Sequence, residues 1–203
     1  MLLKHEVAQA DPLQLAAHRV HEAGGPGRRS FAVLQAAQMK GQVLWVQPAH
    51  VAEHLMPWSL PDRLANRILL LRANSETDLL WSVEEALRAT APALVIAEPQ
   101  KPLSLTAGRR LQLAAEAGRT TGLLLIFENG GSNAAETRWH CAPAADPGAP
   151  GSDRPDSTLQ DWSLNKNKKG TIGHWRVCWN DKTHALRVVS TAGERSCPAD
   201  ATL

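Results

Sequence analysis

The chain has 203 residues, 43% of them hydrophobic and 21% charged, with a formal net charge of +2. That profile fits one sizeable globular core with at most a small appendage; it excludes a low-complexity or fibrous chain, and any basic partner surface has to be local. Cys141, Cys178 and Cys197 are odd in number and form no CxxC pair, so neither a disulfide framework nor a zinc site is supported.

Residues 1–18 read as a polar lead-in without an apolar stretch of signal length. No run in the chain approaches the roughly 18 apolar residues of a membrane span, so the expected compartment is the cytoplasm. Within the lead-in, residues 12–17 are expected to form a short helix. A strand follows over residues 19–23. Next comes Gly24-Gly25-Pro26-Gly27-Arg28-Arg29-Ser30-Phe31-Ala32, whose glycines and proline interrupt regular structure. Strand, glycine-rich turn and helix start are the layout of a phosphate-binding loop. In such a loop, G-x-x-x-x-G-K-[ST] puts a lysine on the terminal phosphates and a hydroxyl on magnesium. Counted from Gly25, the second glycine position holds Ser30, the lysine position Phe31 and the hydroxyl position Ala32. Arg28 and Arg29, beside Gly27, can still draw phosphate electrostatically, but the frame lacks the groups that cradle a magnesium nucleotide.

Phe31, Leu34, Gln35, Gln38 and Met39 fall at helical spacing, and Lys40-Gly41 supplies a basic last turn and a stop. Val43-Leu44-Trp45-Val46 is a short apolar run between Gly41 and Pro48, the pattern of a buried strand. The reading continues with a helix over 51–56, a loop over 58–61 and a strand over 68–71. Asn74-Ser75-Glu76-Thr77 opens a helix whose apolar face is Leu79, Leu80, Val83, Ala86 and Leu87. A strand over 93–97, a helix over about 106–117 and a strongly apolar strand over 123–127 complete the series. Apolar strands alternating with helices predict an α/β domain, a mostly parallel sheet with helices on both faces. Glu98 and Glu128 end two of its strands, where ligand-handling groups lie in such sheets.

Arg138-Trp139-His140-Cys141 reads as a further strand, closing a core over residues 19–142. Residues 143–157, rich in proline, glycine and aspartate, read as a flexible loop. Residues 159–164 and 174–179 then alternate as strands, joined by Asn165-Lys166-Asn167-Lys168-Lys169-Gly170. The pair is a β-hairpin with a basic tip, completing the sheet over 158–190 with a third strand at 185–190, before a tail over 191–203. Lys166, Lys168, Lys169, Arg176, Lys182 and Arg187 against Asp161 and Asp181 give this segment a local +4 and leave −2 for the rest. Flanked by Trp162 and Trp175, such a charge suits DNA-backbone contact with aromatic support, or protein docking. A solvated turn over core tryptophans remains the alternative. His18 with His21, and His50 with His54, lack a third metal ligand and read as surface or capping histidines. Ser104, Ser132 and Ser163 have no G-x-S-x-G context, so a hydrolase triad has no support.

From the phosphate-loop frame through the strands and helices to Asn129, and on into the basic hairpin, residues 19–190 resemble the RecA recombinase family. The stretch 162–179, with its Leu-Asn-Lys-Asn-Lys-Lys-Gly run and following His-Trp-Arg, is most similar to the ImuA family, shortened RecA-like proteins of bacterial damage-induced mutagenesis cassettes. The resemblance puts the family's loop lysine and threonine on Phe31 and Ala32, its catalytic glutamate near Ala49 and its nucleotide-sensing glutamine at Gly130. It retains the acidic strand end as Glu98. It implies a RecA-like sheet with an antiparallel hairpin extension, no cofactor, and a non-catalytic accessory role in SOS-induced error-prone translesion synthesis. The implied partners are the Y-family polymerase homologue ImuB, an error-prone replicative-type DNA polymerase and RecA, with DNA held through the hairpin. The alternatives are an active ATPase using a displaced lysine, Lys40 or Lys101, and an SOS cell-division inhibitor.

Overall fold

The computed structural model describes residues 13–53, 55–61, 63–127, 132–145, 159–170, 172–180, 183 and 185–189. Most of the lead-in, Glu128, Gly130, His54, Lys182, the tail and much of the 143–157 loop lie outside them. In chain order the elements are β1 (Val20–Gly24), α1 (Arg28–Gln38), β2 (Gln42–Pro48), β3 (Ile68–Ala73), α2 (Glu76–Arg88), β4 (Pro92–Ala97), α3 (Leu105–Gly118), β5 (Thr121–Leu125), β6 (Thr137–Pro143), β7 (Gln160–Asn167), β8 (Gly173–Asn180) and β9 (Ala185–Val189).

The strands form one sheet in the order β3-β2-β4-β5-β1-β6-β7-β8-β9. Pairing is parallel from β3 through β6 and antiparallel from β6 through β9. Strand β6 therefore belongs to both halves. The expected α/β architecture, a mostly parallel sheet with helices on both faces and an antiparallel extension, is the architecture found.

Local chemistry sets the element ends. The Ser75 hydroxyl accepts the Asp78 N–H at the start of α2, and Ser104 does the same for Ala107 at the start of α3. Gly41, at φ +104°, turns the chain from α1 into β2. One face of the sheet packs under α1, with Phe31, Trp45, Trp139 and Trp162 at its centre. The other packs under α2 and α3, with Leu79, Leu87, Leu111 and Leu124.

Several expectations are corrected. The part of residues 12–17 that is described forms turns, not a helix; Leu13 buries in the α1 core and its carbonyl accepts Gln35 Nε2. The described residues of 51–56 are not helical either, and a 3₁₀ turn at Pro57–Ser59 follows them. Arg72 takes the carbonyls of Ala49 and Val51 at 3.0 and 2.7 Å, oxygens that a helix would need for its own ladder. His21 is a fully buried core residue, not a surface one, held between the Thr137 hydroxyl and the Ala16 carbonyl. Burial outweighs that carbonyl and the nearby Glu136 charge, lowering its pKa to about 4. Cys141 is a buried free thiol whose pKa burial pushes well up, whereas Cys178 is disulfide-bonded, a bond the odd cysteine count did not suggest. No described helix is long and apolar enough to cross a membrane.

Candidate functional site

Only Gly25, Pro26 and Gly27 link β1 to α1. A phosphate loop needs a longer excursion, so that successive backbone N–H groups can turn inward around the anion. Here Gly27 N–H donates to the Cys141 carbonyl of β6 at 2.8 Å, and Phe31 N–H donates to Gly27 to begin the helix. A Cβ on Gly27 would come within 3.0 Å of the β6 backbone. Gly25, at φ +86°, lies tighter still against the Cys141 carbonyl and also against the His140 ring. The two glycines thus admit a neighbouring strand. Ser30 is an exposed residue of α1, while Phe31 and Ala32 are fully buried. The Phe31 ring lies 4.6 Å from Trp162 and 5.3 Å from Trp139, centroid to centroid.

The two cations of the loop are committed to neighbours. Arg28 donates to the Gly25 carbonyl at 3.2 Å and stacks over Phe127 at 5.2 Å. Arg29 donates through Nε and Nη2 to Glu98 Oε2, at 3.1 and 2.6 Å, and through Nη1 to Glu53 at 3.0 Å. Burial opposes the Arg29 charge, but the hydrogen bonds and charges of Glu98 and Glu53 outweigh it and hold the guanidinium above its ordinary range. Glu98, itself 5% exposed, receives the Trp45 indole N–H on its other oxygen at 2.8 Å. Both oxygens of the acidic strand end are therefore occupied from within the chain. Ala49 follows β2 with its N–H on the Ala73 carbonyl. Lys40 lies beyond the far end of α1 from the loop and Lys101 beyond β4, both exposed.

The hairpin residues are brought close together, but their charges turn inward. Strand β7 runs to Asn167, so Lys166 is a strand residue, and of the expected tip residues Lys168, Lys169 and Gly170 lie beyond the strand. Lys166 Nζ donates to the Asn133 carbonyl at 2.8 Å and Lys168 Nζ to the Ala134 carbonyl at 2.5 Å. Lys169 Nζ sits 3.8 Å from Glu136 Oε1, a buried oxygen that makes no hydrogen bond. Burial, then the nearby Arg138 and Lys168 charges, pulls the Lys166 ammonium below its ordinary range. Arg176 donates to both oxygens of Asp161, at 2.9 and 3.1 Å, and so holds that carboxyl below its usual range. Trp162 is completely buried; Trp175 is half-buried, 5.8 Å from Trp139.

The chain is 30% identical over 177 residues to Protein ImuA of Caulobacter vibrioides, in strain NA1000 / CB15N and again in strain ATCC 19089 / CIP 103742 / CB 15; the match covers 78% of this chain and 70% of that protein. The chain belongs to the ImuA family. Among solved structures, the crystal structure of the RadB recombinase matches with a TM-score of 0.60 at 11% identity, over 86% of this chain and 92% of that one. This likeness shows a RecA-like fold. No protein-family model matches the chain.

In this member of the ImuA family, several residues of the region escaped sequence reading. Glu22, fully buried in β1, accepts the Ser132 N–H at 2.6 Å and Arg138 Nε at 2.8 Å. Trp45 and Glu53 complete the Glu98–Arg29 network, and Gln47 buries a side-chain amide Nε2 that makes no hydrogen bond. The available signal was a carboxylate in a strand of a sheet expected to be covered on both faces, which demands a partner. That partner, Arg138, lies 116 positions away.

Proposed function

We propose that this ImuA-family chain is a non-catalytic RecA-like accessory protein of damage-induced mutagenesis. It acts in the cytoplasm as a fixed adaptor in SOS-induced error-prone translesion synthesis. The partners that the family resemblance implies are the Y-family polymerase homologue ImuB, an error-prone replicative-type DNA polymerase and RecA.

The observation that carries the non-catalytic reading is the closure of the phosphate loop by β6. Gly27 N–H is spent on Cys141, Phe31 fills the core where a lysine would be needed, and Arg29 holds the carboxylate that would face magnesium. A magnesium nucleotide does not fit these residues. Without a nucleotide switch, what the domain can offer is surface, and the basic strand-turn with its half-buried Trp175 is part of that surface.

Capture of partners from damage-induced cells tests the reading. The adaptor account expects polymerase subunits to be retained equally with and without ATP. Retention that requires ATP, or none of these subunits, contradicts it.

A further inference from the structure

Two of the three cysteines, Cys141 and Cys178, lie on opposite faces of the sheet. Cys141 of β6 is a free thiol in the core beneath α1, where burial pushes its pKa well up. Cys178 of β8 is disulfide-bonded and fully buried, in a separate small cluster with Leu159 and Val189. Alternation along β8 accounts for the separation: Val177 and Trp179 join the α1 core, so Cys178 between them points the other way. With β7 also lying between their strands, the two sulfurs are beyond the reach of one bond.

The end of the sheet that Cys178 serves is lightly held. Strand β9 closes the sheet and pairs with β8 alone among the described residues. Of its five residues, Leu186 packs against the α1 core and Val189 joins the Cys178 cluster, while Ala185, Arg187 and Val188 are exposed. Arg187 sits opposite Cys178 in the β8–β9 register. A cation beside a sulfur favours the thiolate, which makes Cys178 a good leaving group.

We infer that Cys178 is bonded to Cys197, the one cysteine left in the chain, and that the bond is a reversible redox clasp fastening the end of the sheet. In a cytoplasm that keeps thiols reduced, a disulfide is a transient or sensing device rather than a permanent staple. That setting is all the inference takes from the proposed function. Opening needs a dithiol reductant. Its thiolate attacks Cys197 Sγ, since Cys178 Sγ is buried, and the S–S bond breaks to release Cys178 as a thiolate that takes up a proton. The second thiol of the reductant then closes its own disulfide and frees Cys197, so two electrons and two protons pass to the cysteine pair. Closing needs a hydroperoxide, which oxidises the Cys197 thiol to a sulfenic acid with loss of water or an alcohol. The Cys178 thiolate displaces that hydroxyl as water and restores the bond. The free thiol of Cys141 takes no part, being buried on the other face.

Thiol counting and hydrogen exchange on the full chain test the clasp. After hydrogen peroxide, maleimide labelling in denaturant adds one group per chain; after dithiothreitol it adds three. A titration of reduced against oxidised glutathione moves the chain between the two states in both directions. Reduction quickens exchange about tenfold or more in residues 185–189 and leaves β1–β5 unchanged. Cys197→Ser, which spares the buried cluster, exchanges at the fast rate with and without dithiothreitol. Three labels after peroxide, a disulfide-linked dimer on a non-reducing gel, a bond that glutathione does not open, or exchange indifferent to reduction would each overturn the inference. Capture of polymerase subunits is read separately: its failure with both the oxidised and the reduced chain sinks the adaptor reading and leaves these thiol counts standing.

Discussion

The β1–α1 loop and the lysine-rich turn between β7 and β8 both look, as sequence, like places that receive phosphate, and both have turned their polar groups inward by different means. The loop is closed by main chain: its Gly27 N–H is bonded to β6, and its next residues are already helix. The turn is occupied by side chains, with lysines resting on the carbonyls of 132–136 at or near the surface. On the proposed reading, main-chain closure removes the anion site from the fold, and no exchange of side chains restores it. Side-chain occupancy can be competed away, because exposed lysine contacts are worth little. The contrast is thus between a loop whose main-chain donor is spent on a neighbouring strand and a charge reserve that remains within reach.

The largest effect should come at Phe31. Phe31→Ala removes a fully buried ring from the aromatic cluster and should cost about 3–5 kcal/mol in urea unfolding. Phe31→Lys with Ala32→Thr rebuilds the motif's letters and should lose stability without gaining nucleotide affinity. A stable, nucleotide-binding double variant would break the contrast at its root.

Arg29→Ala comes next. It strands the Glu98 carboxylate with Trp45 as its one remaining partner and should cost about 3 kcal/mol. Adding Glu98→Gln should return part of that loss in a double-mutant cycle. If both single variants unfold like the parent, the internal ion pair does not hold this end of the sheet.

His21 provides a test by pH. The unfolded chain takes up this proton near pH 6.5 and the folded chain only near 4, so between those values the unfolded state binds more protons. The His21 contribution is fully present above about 6.5 and declines as pH falls, by about 3 kcal/mol at pH 4. Denaturant titrations across that range should show the slope, and His21→Gln should reduce it by about one proton. An unchanged slope would mean that His21 is reached by water.

At the turn the expected effects are smallest. Lys168→Ala or Lys169→Ala should cost at most about 1 kcal/mol, and hydrogen exchange should quicken in residues 132–136. A loss as large as that at Arg29 would erase the difference between the two regions.

Much of the parallel half was legible because β2 to β5 are short apolar runs and α2 and α3 each show a serine-capped amphipathic face; Ser75 and Leu79 of α2 illustrate both. The segment 51–56 misled because Val51, Leu55 and Met56 are spaced like a helix, while bonds to Glu53 and the Val51 carbonyl come from Arg29 and Arg72, which spacing cannot reveal. The loss of lysine and hydroxyl at Phe31 and Ala32 was readable letter by letter. The shortness of the loop was not, since it depends on β6 lying beside β1, a pairing between residues more than a hundred positions apart. The destinations of Lys166 and Lys168 were hidden for the same reason. A register shift in the β6–β7 pairing sets where they point, and sequence alternation says nothing of it.

The central claim is that a RecA-like frame is kept here without its nucleotide. Isothermal titration of the full chain with ATP and magnesium tests it most directly. The account predicts no saturable heat up to millimolar nucleotide, with or without single-stranded DNA. Magnesium-dependent binding in the micromolar range would contradict it.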